Sequence, residues 1–586
     1  MARRPALALE SPAPRRRAAH AGALALASAV VAAALAACGD GTPVRVPPPD
    51  GGMMSADGGA GGDVDGGEVD GGNPGPDAGE DAGPWDAGDD ASVPDAGPAD
   101  GGRDAGAVDG GLPPTTTPSP PPTVVRTGTA GLLLRGTVLT PTGPLDGEVL
   151  VVGNQITCVA ADCSSASGAS AATVIATNGV ISPGLIDAHN HTAYNWLGEW
   201  VPPMLYTDRY MWAADRSYED HIRPYAAMRS AGDVYCPSNK WGELRSIIHG
   251  TTTVQGQSFE QSCANVLARN ADHYHGLGHD HMATNIASPR DIDDATATSL
   301  VRSFTAASNP TTRYAVHMAE GVSGAALLSE FDSFAGRDTR PNRHMGISLL
   351  AGPGYSGVGL LIHAIPLTLP QLMEVADTDA KVVWSPSSNI VLYGATANIA
   401  EWLSLGLTIG IGPDWTPSGE DDLLGELRFA LDYGRTAAIA GITPRRVWEM
   451  ATSDGAEVVG LGRSIGRLEV GYRADIAVFG RVGPDPYLAV AESRSPDVRL
   501  VLIDGRGYYG DAALEMATSV NGMCDAFDAC GVAKYLCVRE VPRTTPSGTT
   551  PSRNDVSLDD LRGQLLAILA GYGRSDLLEL ANDCAP

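Results

Sequence analysis

The sequence predicts an α/β fold, a (β/α)8 barrel inserted into a small β-sandwich that both flanks build. Three observations carry this expectation. Short β-rich runs separated by turn residues fill 126–182, among them GLLLRGTVLT and GEVLVVGNQITCVA. After residue 180, apolar strand-like runs alternate with helical stretches, as in TTTVQG, HMATNIA, RYAVHMAE, GLLIHAI, KVVWSP and LTIGIGPDW. That is the rhythm of parallel βα units. Near residue 467 the short strands return, in GRLEVGYRADIAVFG and VRLVLIDGR. The expected organisation is therefore 126–182 and 465–514 as the two parts of the sandwich, with 183–464 as a barrel whose ring has room for distortion.

Both ends of the chain differ from this body. Arg15, Arg16 and Arg17 precede AGALALASAVVAAALAAC, a stretch of small apolar residues ending in Leu35-Ala36-Ala37-Cys38. Residues 1–38 fit a secretory signal closed by a lipobox, so Cys38 is expected to carry the lipid that anchors an exported protein to the bacterial cell envelope, in the periplasm or at the surface. A transmembrane helix fits less well, because the segment is rich in alanine and no basic stop follows it. Residues 39–125 are Asp-, Gly- and Pro-rich with hardly any apolar side chain, and they predict a disordered tether. Residues 39–112 hold 17 acidic and 2 basic side chains, about half of the formal charge of −29. The acidity belongs mostly to the tether, and it argues against a nucleic-acid partner.

Of nine cysteines, setting Cys38 aside leaves eight, an even number suited to disulfides outside the cytosol. Proximity pairs Cys158 with Cys163 and suggests Cys236 with Cys263, while Cys524, Cys530, Cys537 and Cys584 form a C-terminal group. No CxxC pair is present, which argues against a thiolate zinc site. Residues 515–586, with these cysteines and the amphipathic LDDLRGQLLAILAGYG, read as a disulfide-stapled helical appendage.

The chemistry lies at the strand ends. In VISPGLIDAHNHTAYNW, residues 180–196, His189 and His191 are two residues apart, so on an extended strand they point to the same side and can converge on one ion. The C-terminal strand ends of such a barrel open on one cavity, which would bring His189, His191, His317, His363 and Asp414 together. One histidine at a strand end is commonly structural, but five ionisable residues at successive strand ends point to a site.

The motifs PGLIDAHNH, HMAE, IHAI, SPSSNIVL, IGPDW and MATSDGAEVVGLGRSIGRLEVGYRADIAVF resemble the amidohydrolase superfamily, in particular its metal-dependent deaminases and chlorohydrolases of heterocycles. The likeness covers roughly residues 126–510. It implies a TIM-like barrel, one divalent metal, zinc or alternatively iron, held by His189, His191, His317 and Asp414, with Glu320 as the proton shuttle and His363 orienting or polarising the attacking water. Donor chemistry agrees, since imidazoles and a carboxylate suit zinc or ferrous iron. The substrate implied is a small, cyclic molecule cleaved at a C–N bond. An amide or dipeptide hydrolase is the alternative, and Arg290 or Arg209 placed to take a substrate carboxylate would favour it. A catalytically inactive surface-binding lipoprotein is the third reading, opposed by the completeness of the residue set. Nothing in the sequence sets an oligomeric state.

Binuclear relatives use a carboxylated lysine on the fourth strand. The chain has only Lys240, Lys381 and Lys534, none of them between HMATNIA and RYAVHMAE, where that strand is expected. One metal is therefore expected, with Asp291, Asp293 or Asp294 as a remote option for a bridging carboxylate. HYHGLGHDH holds the further pairs His273/His275 and His279/His281, but glycines interrupt it and it reads as a rim loop from which His281 could reach substrate. Aromatic residues crowd 194–241, which would form a lid over the barrel mouth, most rings making the lid's own core. Two departures stand out. Trp415 follows Asp414 where relatives carry glycine, so the pocket beside Asp414 should be bulkier, and the short interval before the fifth strand leaves the fourth undefined.

Overall fold

The computed structural model describes residues 116–222, 232–256, 267–272, 277, 281–285, 289–308, 310–519, 524–539, 544–545, 548–549 and 555–584. The signal segment, Cys38, the tether up to residue 115, Cys263, His273, His275 and His279 lie outside the described residues.

Eight parallel strands carry the central body: β1 (Leu185–Asp187), β2 (Thr251–Val254), β3 (Arg269–Asn270), β4 (His281–Asn285), β5 (Thr311–Met318), β6 (Gly359–His363), β7 (Lys381–Trp384) and β8 (Ile409–Ile411). β1, β2 and β3 form one sheet, and β4 to β8 form a second in chain order. The two meet where the chain leaves β1 and β8: Ala188 N donates to Ile411 O at 3.1 Å, and Asp414 N to His189 O at 3.1 Å. Across the other seam Gln255 Nε2 donates to Asp272 Oδ1 at 3.1 Å, and the Thr284 hydroxyl reaches the same oxygen. No strand ladder joins β3 to β4 among the described residues. The body is an α/β, TIM-barrel-like arrangement, and the described residues do not close a continuous hydrogen-bonded ring. Its strands read as unbroken apolar runs because both faces are covered, as with Leu360, Leu361 and Ile362, all buried.

The fourth strand is HMATN itself, and the segment expected to hold it contains the helix Asp294–Phe304 instead. The displacement arises at β3, whose two residues are too few to show any period.

Both flanks join one ten-stranded sheet. Ile476–Phe479 pairs antiparallel with Val180–Pro183, which closes the insertion around the body, and Thr173–Pro183 runs parallel to Leu132–Thr140. The sandwich expected from these flanks is thus a single hydrogen-bonded sheet. Arg269 on β3 ties it to the body: buried, it donates from Nε to Asp475 Oδ2 at 2.9 Å and from a terminal nitrogen to Asp504 Oδ1 at 3.0 Å.

Residues 116–125, read as tether, are ordered. Thr117–Pro118 pairs with Arg481–Val482, and Thr123–Arg126 adds to the flank sheet at Val174–Ala176. Distant side chains hold the carbonyls of this proline-rich stretch: Asn178 Nδ2 donates to Pro121 O at 2.8 Å, and Arg499 donates to Ser119 O and Pro120 O. Order here comes from tertiary contacts that local composition does not encode.

The C-terminal segment is mixed rather than purely helical. A hairpin, Asp525–Ala529 with Val532–Leu536, extends the flank sheet at Tyr509–Asp511. The helix Leu558–Gly571 buries Leu561, Leu565 and Leu569, one stripe at four-residue spacing. Disulfides join Cys158 to Cys163, Cys524 to Cys537 and Cys530 to Cys584, and Cys236 is also disulfide-bonded.

Candidate active site

The expected residues come from the ends of four strands, His189 and His191 after β1, His317 and Glu320 at β5, His363 at β6 and Asp414 after β8. Beyond β1 the chain turns through His189, Asn190 and His191, and this turn is fixed from below by buried Asp187, which accepts from Asn190 Nδ2 at 2.6 Å and from His189 N at 3.2 Å. Burial pushes the Asp187 carboxyl up to about 8. β5 ends in His317-Met318 and β6 in His363, while Asp414 follows β8 after Gly412 and Pro413. His363 and Asp414 have φ of 68° and 74°. Such left-handed backbone in a non-glycine residue costs on the order of 1–3 kcal/mol, and here it occurs at two of the converging side chains.

The four imidazoles form one nest. Ring centroids lie 5.1 Å apart for His189 and His191, 4.8 Å for His189 and His317, and 5.1 Å for His189 and His363. His317 is 5.3 Å from His191 and 5.2 Å from His363. Asp414 Oδ1 stands 3.1 Å from His189 Nε2 and 3.3 Å from His191 Nε2, while Oδ2 accepts from Ser388 Oγ at 2.7 Å. One donor atom each from His189, His317, His363 and Asp414 falls within 4.8 Å of the others.

These residues fit a metal ion. Burial lowers the His189 and His317 imidazoles, His317 well below its usual value, and brings His363 down to about 4, so all three rings present lone pairs at neutral pH. His189 Nδ1 and Nε2, His317 Nδ1 and His363 Nε2 are buried and make no hydrogen bond. Each such group costs roughly 1–3 kcal/mol unless something else satisfies it. Burial opposes the charge on Asp414, but neighbouring His189 and His191 outweigh it and hold the carboxyl well below the usual range. A carboxylate ringed by neutral imidazole nitrogens is a ligand set for a divalent cation.

Glu320 lies beside this nest in the loop after β5, outside any helix. It is 4% exposed, and it accepts from the Tyr393 hydroxyl at 2.6 Å on Oε1. Its Oε2 is 3.7 Å from His363 Nε2 and 4.0 Å from Arg209. Burial raises its carboxyl to about 7 against the opposing pull of Arg209. A carboxyl so poised exchanges protons readily near neutral pH.

The partners of His363 fix which of its nitrogens faces the nest. Asn389 Nδ2 donates to Thr396 Oγ1 at 3.1 Å, which turns Asn389 Oδ1 toward His363 Nδ1 at 2.9 Å. With the amide so oriented, Nδ1 carries the proton and Nε2 the lone pair, so neutral His363 accepts from a water rather than donating to an oxyanion. Asn389→Leu removes that acceptor from a buried N–H, and thermal unfolding should show a loss of about 1–3 kcal/mol. An unchanged midpoint would refute the tautomer assignment.

The lid after β1 is largely its own core, as expected: Tyr194, Trp196, Trp200, Tyr206, Tyr218, Tyr235 and Trp241 are all buried. Trp415 extends it over the metal nest, its ring 5.9 Å from His191, 5.3 Å from Tyr194 and 5.9 Å from Trp212. Trp212 Nε1 also donates to the Tyr393 oxygen at 2.7 Å, so a hydrogen-bond chain runs from lid to Glu320.

The other candidates are engaged in structural contacts. Arg209 is buried and directed to His317 O at 3.2 Å and Glu330 Oε1 at 3.1 Å. Asp293 caps the helix that follows it, Asp294 accepts from His344 N at 2.6 Å, and Asp291 lies 3.6 Å from Arg340. Sequence reasoning assigned no role to Asp187, Ser388, Asn389, Tyr393 or the Arg209–Glu330 pair. Three of these stand in SPSSNIVLY, whose polar triplet opening an apolar helix was the available signal.

The sequence profile of the amidohydrolase family matches residues 180–507, more than half of the chain. A 5-methylthioadenosine/S-adenosylhomocysteine deaminase of Desulfitobacterium hafniense is 26% identical over 456 residues, spanning 69% of this chain and 99% of the relative. The protein of that name from Halobacterium salinarum is 28% identical over 398 residues, spanning 61% and 88%. Among solved structures, a triazine hydrolase from Arthrobacter aurescens shares the fold, with a TM-score of 0.51 at 18% identity over 75% of this chain and 99% of that one. A family profile spanning the strand-end residues, joined to a buried His/Asp nest with the chemistry of a ligand set, settles the assignment: the chain belongs to the amidohydrolase family and is a hydrolase acting on carbon–nitrogen bonds other than peptide bonds.

Proposed function

We propose that this hydrolase cleaves a C–N bond in a small cyclic substrate, by deamination or by opening of a cyclic amide or amidine, with one divalent ion, zinc or alternatively iron, at the histidine nest. The observation that carries the reading is Glu320, buried against His363 with its carboxyl near 7 and held by Tyr393. His189, His191, His317 and Asp414 would hold the ion, with His363 Nε2 beside it. Such an ion supplies Lewis acidity, bringing the pKa of a water down to roughly 7. Asp414, its Oδ2 fixed by Ser388, takes a proton from the water, and His363 Nε2 orients that water by accepting from it. As the water oxygen adds to the sp² carbon, Glu320 would deliver a proton to the ring nitrogen or the departing amine, and the C–N bond would break with the electron pair leaving on that nitrogen. The deaminase relatives support an amino-substituted heterocycle. A screen of purines, pyrimidines, triazines, cyclic amides and acyclic amides against residues 116–586, read by ammonia release and by chromatography for ring-opened product, tests the reading, and turnover of acyclic amides alone would overturn it.

The amide or dipeptide alternative asks for a cation to receive a substrate carboxylate, and Arg209 is already committed to Glu330 and His317 O. The complete residue set argues against an inactive binding protein.

The lid enters catalysis through Trp212. Trp212→Phe keeps a ring but deletes the donor to Tyr393, a neutral hydrogen bond worth about 0.5–1.5 kcal/mol. A decrease of roughly 2- to 10-fold in kcat/KM is expected, with metal content unchanged; a fall in metal content would place Trp212 in the structural scaffold instead.

Export and lipid anchoring at Cys38 belong to this proposal. The lipobox Leu35-Ala36-Ala37-Cys38 that closes the small apolar stretch supports attachment through an N-terminal lipid. Cys38→Ser should move the protein from the membrane fraction to the soluble one, and unchanged fractionation would contradict the anchor.

A further inference from the structure

A second group of metal-capable side chains lies outside the catalytic nest. His249, between the helix Gly232–Ile248 and β2, is fully buried. Its Nδ1 stands 2.7 Å from Arg245 O. A carbonyl can only accept, so Nδ1 carries a proton; burial opposes a charge on the ring but Asp422 and Asp583 outweigh it and raise the imidazole, so Nε2 holds either a second proton or, in its place, a cation. That Nε2 makes no hydrogen bond. It faces Asp422 Oδ2 at 3.4 Å and Asp583 Oδ2 at 3.2 Å.

Other bonds hold both carboxylates in place. Asp422 caps the helix Leu423–Thr436, its Oδ1 accepting from Gly425 N at 2.9 Å. Asp583 accepts from Ser495 N at 2.8 Å and from the Ser495 hydroxyl, and it adjoins Cys584, whose disulfide to Cys530 pins the same tail. The neighbouring cation is Arg245, which donates to Asp421 O at 3.2 Å, Asn582 Oδ1 at 3.1 Å, Leu580 O at 3.4 Å and Glu579 O. A second guanidinium, that of Arg494, donates to Asp583 O at 3.1 Å, so both arginines hold the tail through carbonyls and the Asn582 amide while His249 Nε2 faces the two carboxylates.

We propose that His249 Nε2, Asp422 Oδ2 and Asp583 Oδ2 form a second, structural site for a divalent cation of the zinc class, which staples the C-terminal tail to the barrel-like body. A charge-assisted hydrogen bond would draw nitrogen and oxygen to about 2.7–2.9 Å. The observed separations are longer. They match the 3.1 and 3.3 Å between Asp414 and His189 and His191 in the catalytic nest. Donors about 2.0–2.1 Å from a shared tetrahedral ion stand about 3.3 Å apart, and one imidazole with two carboxylates is a donor set that zinc accepts. The Nδ1 bond to a carbonyl is the usual support of a ligating histidine. Residues 249, 422 and 583 are far apart in sequence, so the ion would restrain the unfolded chain as a cross-link does.

The test uses the full chain and zinc content by mass spectrometry. Asp414→Ala removes the catalytic nest from the count, so failure there and failure here are distinguishable. The Asp414→Ala chain should retain about one zinc, and zinc added after chelation should raise its melting temperature. Adding Asp583→Asn should lower zinc affinity at least tenfold and abolish that rise, and Asp422→Asn, which keeps an N-cap, should do the same should the tail fray. Asp583→Asn alone should leave turnover unchanged. An Asp414→Ala chain that holds no zinc, or a double variant that keeps it, overturns the proposal; a zinc-free chain destabilised as pH rises would identify a doubly ion-paired His249 imidazolium instead.

Discussion

Asp414→Ala should yield a folded protein that has lost one equivalent of metal and essentially all turnover. Asp414 touches His189 and His191 through Oδ1 and is the one carboxylate within the imidazole nest. Removing it leaves neutral nitrogens with no anion to balance a dication, and affinity should fall beyond the roughly 10- to 100-fold typical of a lost outer partner. The same substitution deletes the group that accepts the proton of water, so restoring metal by excess should not restore rate. Folding should survive, because Ser388 retains Ser418 as a hydrogen-bond partner at 2.9 Å. Metal content by mass spectrometry and turnover against the best substrate of the screen read the two effects separately. An Asp414→Ala protein with full metal and measurable turnover would place the nest outside the chemistry.

The six strand-end and loop residues were legible because each closes an apolar run with a residue type that such a run does not otherwise need. His189, His191, His317, Glu320, His363 and Asp414 converge as expected. Their supports were not legible, because they are contacts between segments with no local pattern. Arg209 meets Glu330 across 121 positions, and Tyr393 meets Glu320 across 73. The protonated nitrogen of His363 was not legible for the same reason, since only the position of Asn389 reveals which nitrogen holds the proton. In the fold, the two-residue β3 gave no period to read, and it shifted the expected fourth strand out of HMATN. The proline-rich 116–125 looked like tether because composition records the missing apolar side chains and not the arginines that bind its carbonyls. The tail residue Asp583 gains its meaning from His249, more than 300 residues away in sequence.

The proton carrier is the most exposed point of the mechanism. Glu320→Gln keeps the shape of the side chain and can still receive the Tyr393 hydroxyl, but it has no titratable proton to give to the departing nitrogen. General acid–base catalysis is typically worth about 10²–10⁴ in rate, or roughly 2.7–5.4 kcal/mol on the barrier. Metal content should be unaffected, since Glu320 is 3.7 Å from His363 and is no member of the ligand set. The sign of the pH effect follows from its raised carboxyl: the acid form persists to about 7, so the wild-type rate should fall as pH rises through that limb, and the limb should be missing from the variant. The decisive measurement is turnover of Glu320→Gln at neutral pH with metal content and melting temperature taken on the same sample. A metal-replete, folded protein slowed by at least 100-fold is the expected result, whereas one retaining more than about a tenth of wild-type turnover would contradict the assignment of Glu320 as the proton carrier.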